Sequence, residues 1–255
     1  MNIKPFILLF VFTFLMGNDP SYQNGVSAYN SRALNASGML ANPDQINLAI
    51  NAFKKAQQNP NYELDAGVYL LQCYYYKGKF VAQEDDSKKG IFSLGKDLGE
   101  LLIEKYPKSA PVRYWYLVNL GSWSEIYGLF AAAKEGVADL MRKHSEIIID
   151  LDPNYSNGGG YFMLGAVHFK SPYIPFILSW PSNDEALNFL TKAHETGKAT
   201  PTQTVYLARS FYKDKQKEKA IQLLTVLISQ PLSDDEPVED FEKHHEAKGY
   251  LADWN

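Results

Sequence analysis

Along most of this chain apolar side chains recur every three or four positions with polar ones between them. That is the period of a helix that buries one face. In AINAFKKAQQNP (49–60) the stripe is Ala49, Phe53 and Ala56, and LGELLIEKYP (98–107) and HSEIIIDLDP (144–153) continue the pattern. Each stretch closes on a proline, which cannot extend a helix. Partner helices are predicted over 66–76, 111–121 and 158–170. No segment alternates apolar and polar residues between hairpin turns, so no strand is predicted.

The clearest unit lies near the C-terminus. Leu207-Ala208 is followed by Phe211, then Ala220, Leu224, Leu227 and Pro231. Residues 202–213 and 217–229 form two helices there, joined by the charged turn 213–218. A leucine followed by a small residue, an aromatic, an alanine, an aromatic or large apolar residue and a closing proline make up the tetratricopeptide grammar. The preceding unit repeats it with Leu164-Gly165, His168, Ala186, Leu190 and Ala193, interrupted by SPYIPFILSWPS (171–182). Small residues at Gly165, Ala186 and Ala208 let paired helices approach closely. Each pair leaves an apolar face that only the next pair can cover. The expected fold is all-α: a tetratricopeptide-like solenoid of about five helix pairs, with a final helix over 237–254 capping the stack.

The first residues break the pattern. Lys4 precedes PFILLFVFTFLMG (5–17), a short apolar run of the export-signal type. The chain therefore divides into a signal peptide over 1–17 and a single helical-repeat domain over 18–255. Leu15 stands where a small residue is wanted for a cut after Gly17, so a retained anchor is the other reading, although crossing a bilayer takes roughly 17–25 apolar residues. No cysteine follows the run, so no lipoprotein is expected, and the predicted location is the periplasm. Composition adds limits. With 45% hydrophobic and 21% charged residues the chain is globular. A net charge of −4 argues against nucleic acid, which needs a basic surface. The single cysteine, Cys73 in LLQCYYY, rules out an intrachain disulfide and a cysteine zinc site, and reads as core.

No motif for catalysis, cofactor or metal stands out. Adjacent His244 and His245 point about 100° apart on a helix, so with Glu242 and Glu246 they read as a solvated face. Gly158-Gly159-Gly160 lacks the lysine and hydroxyl of a phosphate loop. Two clusters point to binding instead. Tyr114, Trp115, Tyr116, Asn119 and Trp123 stand on the first helix of a pair, with Tyr116, Asn119 and Trp123 sharing a face. That face lines either the concave side of the superhelix or the core between repeats. The second cluster is the insertion, with Tyr173, Phe176 and Trp180 alongside Ile174, Ile177 and Leu178. Prolines 172, 175 and 181 make it a fixed irregular loop. So much apolar surface must pack on the stack, line a cavity, or meet a partner or membrane. The readings favoured are a lid over the groove or an oligomer contact. His168, in an aromatic slot, reads as core or groove contact.

Three segments, APVRYWYLVNLGSW (110–123), GGGYFMLGAVHFKSPYIPFILSWPSNDEALNFLTKAH (158–194) and EDFEKHHEAKGYLAD (239–253), together resemble the TatT family, the T-component of some TRAP-type transporters. The resemblance implies an all-helical periplasmic protein with a ligand-accessible cavity or pore, working beside a substrate-binding protein of such a transporter. The sequence departs from that family in lacking the lipid-attachment cysteine. The expected function is an exported, non-enzymatic binding protein for that periplasmic partner and for a small ligand with apolar and acidic parts. The alternative is a general tetratricopeptide adaptor in cell-envelope assembly or secretion.

Overall fold

The computed structural model describes residues 19–254, so the signal expected over 1–17 lies outside the described residues. Helices follow one another as α1 (Pro20–Asn30), α2 (Pro43–Ala56), α3 (Glu63–Tyr76), α4 (Asp85–Lys105), α5 (Ala110–Tyr127), α6 (Leu129–Lys134), α7 (Val137–Leu151), α8 (Tyr155–Lys170), α9 (Asn183–Thr196), α10 (Pro201–Lys213), α11 (Lys217–Ser229) and α12 (Pro237–Trp254). No strand occurs among the described residues. Their starts are written locally. The side chains of Asp19, Asn42, Ser109 and Ser182 accept hydrogen bonds from the first turns of α1, α2, α5 and α9. Thr200 and Gln203 form a reciprocal capping box at α10.

Five hairpins result, pairing α1 with α2, α3 with α4, α5 with α7, α8 with α9, and α10 with α11. The first members also touch in series: α3 on α5, α5 on α8, α8 on α10, and α10 on α12. They form an inner wall, with the second members outside. This is the predicted helical solenoid. Two features were not predicted. A π-helical turn, Lys77–Val81, extends α3, and the six-residue α6 sits between α5 and α7.

The closing helix does more than cap. Its C-terminal half packs Ala247 and Trp254 against Val205, Leu224 and Leu227 of the last hairpin. Trp254 stacks on Tyr212 with ring centroids 4.1 Å apart. At the other end of α12, Val238 joins the core of the first hairpins with Ile46, Phe53, Leu70 and Tyr76. At 1.5 Å per residue, 238 and 254 stand about 24 Å apart along the axis, so one straight helix ties the start of the superhelix to its end.

Close approach within hairpins depends on missing side chains. A Cβ at Gly165 would lie 2.7 Å from Leu190 Cγ and 2.9 Å from the Leu190 backbone nitrogen. Gly165→Ala should therefore cost about 1–3 kcal/mol as overpacking. The midpoint of urea unfolding should fall while helical circular dichroism is kept, and an unchanged midpoint would contradict this contact.

His144 on α7 is buried against the Tyr116 ring. Arg113 approaches its Nδ1 at 2.6 Å and also donates to the Pro107 carbonyl. Burial, then the Arg113 charge, pushes the imidazole down to about 4 from 6.5. The unfolded chain binds this proton more readily than the folded one. The stabilisation from neutral His144 is thus complete above about pH 6.5 and is lost as pH falls toward 4. Half-buried Glu239 acts oppositely, because desolvation raises its carboxyl. Comparing His144→Gln with the wild type isolates the histidine: the variant should show a flatter loss of stability between pH 6.5 and 4. Equal slopes would contradict a buried neutral imidazole.

Candidate functional site

The inner wall and α12 enclose a cavity of about 910 Å³. Its body is apolar and aromatic. Tyr75 comes from α3, Tyr114 and Trp115 from α5, Phe162 and Met163 from α8, and Tyr206 from α10. The period of the first helices explains the selection. Each buries one face on its hairpin partner and one on its neighbours, and the remaining stripe faces inward. Desolvation holds the Tyr75 and Tyr114 hydroxyls above the ordinary phenol range, so both stay neutral.

Opposite this body runs a charged stripe on α12. Glu236, one residue before the helix, and Glu239, Glu242, Lys243 and Glu246 on it recur at spacings of three and four and line the cavity. Three ion-pair groups bind this stripe to the wall. Arg32, only 5% exposed, bonds Glu239 Oε1 at 2.9 Å and donates to the Asp235 carbonyl at 2.8 Å. Its guanidinium stands 4.5 Å from the Tyr29 ring centre. Lys79, carried by the π-helical turn, meets Glu242 at 2.8 Å. Glu246 takes Lys243 at 2.9 Å and Arg209 at 3.5 Å. Burial would raise the Glu246 carboxyl, but Lys243 and Arg209 hold it below the usual range. Glu239 Oε2 is buried with no hydrogen-bond partner, and Glu242 Oε2, also without a hydrogen bond, lies 3.3 Å from the Lys243 ammonium.

The residues singled out from sequence divide. Tyr114 and Trp115 line the cavity, whereas Tyr116, Asn119 and Trp123 do not. The shared face of the latter three is the core reading rather than the groove reading. Asn119 is fully buried, donating to the Leu71 and Trp115 carbonyls at 3.0 and 2.8 Å. Its amide fills the space that a side chain at Gly95 would need. Tyr116 packs on His144, and Trp123 stacks on Tyr127 at 4.5 Å. His168 is core: it packs on Trp180 and Phe189 and accepts a hydrogen bond from the Ser182 amide.

The insertion is split as well. Ile174, Ile177 and Leu178 line the cavity mouth, together with Leu129, Ala132 and Ala133 around α6. Tyr173 and Phe176 point to solvent. Trp180 is pinned at the loop base by donating to Asp139 Oδ1 at 2.9 Å, with Arg142 over its ring. Sequence reasoning missed the α12 stripe. Glu242 and Glu246 were read with the histidines as a solvated face, but they turn inward while His245 is exposed and His244 is buried. The i, i+3, i+7 spacing of 239, 242 and 246 carried that signal. Among the described residues no His/Cys/Asp/Glu group is arranged to hold a metal.

A family model described as Regulator of microtubule dynamics protein 1-3 matches residues 34–255. Curated protein sequences give no match. Among solved structures, a thermophilic TPR protein of Thermus thermophilus superposes with a TM-score of 0.57 at 13% identity, covering 92% of this chain and 96% of that one. At that identity the likeness shows the fold. The family match corrects the TatT resemblance, since it is a different family and nothing found points to TatT. The misleading signal was the repeat grammar itself, because a small-residue helix followed by an insertion records helix packing rather than a partner.

The Arg32 contact should be measurable. Arg32→Met strips Glu239 of its charged partner and should cost about 1.5–3 kcal/mol, the range for a hydrogen bond to a charged group. Adding Glu239→Leu should restore part of that loss. Chemical denaturation of both variants checks it, and an Arg32→Met protein as stable as wild type would contradict the clasp.

Proposed function

We propose that this chain, which belongs to the regulator of microtubule dynamics protein 1-3 family, is a non-enzymatic binding protein that encloses one elongated amphiphile between its inner helices and α12. The observation that carries this reading is the cavity: about 910 Å³, near the upper end of the roughly 300–1,000 Å³ typical of small-molecule sites. Its wall is aromatic and aliphatic, which suits a hydrocarbon body. Its lining carries seven carboxylates, Glu236 just before α12, Glu239, Asp240, Glu242 and Glu246 on it, and Glu125 and Asp139 elsewhere, against the four cations Lys79, Lys170, Arg209 and Lys243, with Arg32 bonded to Glu239 from outside the lining. Excess negative charge in a desolvated space repels an anion. The head of the ligand is therefore neutral or cationic and donates hydrogen bonds to Glu239 and Glu242. This revises the ligand with an acidic part expected from sequence.

A binder is favoured over an enzyme because no histidine or cysteine lines the cavity among the described residues. Its carboxylates on α12 are largely engaged in ion pairs. A peptide lying in the groove, as in an open adaptor, would have to displace α12 and both of its apolar anchors. The periplasmic transporter partner rested on the TatT resemblance and loses its ground with it. The family description names a process, microtubule dynamics, and leaves the ligand to be read from the site.

The test is equilibrium titration of the full chain with fluorescent long-chain probes held below their self-association concentration. A long-chain amine and a neutral long-chain alcohol should bind, and a long-chain carboxylate should bind at least tenfold more weakly. Ala166→Trp, which puts an indole into the cavity, should weaken amine binding at least tenfold. Absence of uptake, or equal affinity in Ala166→Trp, would overturn the reading.

A further inference from the structure

The cavity mouth is edged by two segments that a freely soluble surface would not display. Residues 171–182 and 127–133 contain no charged side chain. Phe130 is 88% exposed and Ile177 81%, while Phe176 is fully exposed and Leu129 and Tyr173 are also on the surface. Isolated exposed apolar residues need no explanation, but two such clusters bordering one opening do.

The insertion is built to hold its tip outward. The Ile174 and Leu178 amides each donate to the other's carbonyl at 2.8 Å, and the Ile177 amide donates to the Ile174 carbonyl. The turn so closed has Pro175 followed by Phe176 at φ +65°. That position normally takes glycine or asparagine. A phenylalanine kept there is a strained residue whose ring gains no packing inside the protein. Behind the tip, Trp180 is fixed to α7 by Asp139 and Arg142. An exposed apolar tip thus stands beside an exposed Tyr173 and a half-buried, anchored Trp180, and tyrosine and tryptophan are the residues enriched at bilayer interfaces. The second segment carries all of α6 but its last residue, Lys134; α6 follows Gly128 at φ +89°, ends before Gly136 at φ +65°, and buries none of its residues.

We propose that this lip docks on a lipid bilayer, with Phe130, Phe176 and Ile177 entering the apolar layer and the cavity mouth facing it. The proposal rests on the amphiphile reading, because a sparingly soluble ligand has to be collected from a lipid phase and the lip borders the opening through which it would pass. Continuity with the cavity through Leu129, Ile174 and Ile177 argues for a membrane over a second copy of the chain, which would seal that opening. The absence of charge in 171–182 and in 127–133, as far as Lys134 at the end of α6, argues for insertion, with little dependence on anionic lipid.

The test places an environment-sensitive fluorophore at single cysteines of the full chain. Cys73 is fully buried, so labelling is confined to Phe130→Cys or Ile177→Cys, with Leu101→Cys on α4 as control. On adding phosphatidylcholine vesicles, labels at 130 and 177 should shift to the blue and brighten at least twofold, while the label at 101 stays unchanged. The local readout separates lip insertion from any attachment through residues 1–18. A probe at 177 indifferent to vesicles, or a response at 101 equal to that at 177, would overturn the proposal. So would sedimentation showing a dimer that Phe130→Ser/Phe176→Ser converts to monomer. The titration without vesicles reports on the amphiphile reading alone, so the two fail separately.

Discussion

The structure depends on one helix having to satisfy two cores at once. Without α12, the solenoid would end on an uncovered apolar face at Val205 and Leu224, and the first hairpins would lack Val238. Because these anchors are far apart along a single helix, the superhelix must curl until both ends meet it. Arg32, Lys79 and Arg209 fix the curl by taking up the carboxylates of α12 from three different places in the chain. Closure therefore comes from apolar anchors at the ends and ion pairs between them, and the enclosed space follows from that geometry.

The same constraint gives the space its chemistry. Inner helices spend two faces on neighbours, so the residues left over are those of the third stripe, and here that stripe is aromatic. The facing side belongs to a helix whose polar stripe can turn inward only because cations from the wall meet it. An apolar wall opposite partly neutralised carboxylates is an environment for an amphiphile. The uncharged lip at one mouth extends this logic to the outside, where the ligand would be handed over.

The hairpins were legible because their pattern is local. The 217–229 helix and the closing 237–254 helix match α11 and α12, and the caps and prolines mark starts and stops within a residue or a few. The site was less legible because it depends on rotation and long-range closure. Tyr116, Asn119 and Trp123 were correctly grouped on one face, yet nothing local says whether that face meets α4 and α7 or the groove. The deciding residue is Gly95, a helix away, whose missing side chain admits the Asn119 amide. The stripe at Glu239, Glu242 and Glu246 read as solvated because its partners lie as much as 207 residues away, as Arg32 does. Phe176 was recognised as apolar and loop-borne, but its positive φ is visible only in three dimensions.

Hydrogen–deuterium exchange of the full chain, with and without a bound long-chain amine, addresses the enclosed site most directly. Slowed exchange should concentrate on the inward helices α3, α5, α8, α10 and on α12, with α4, α9 and α11 little changed. Protection confined to the outer helices, or none on α12, would contradict a ligand held between the inner wall and the closing helix.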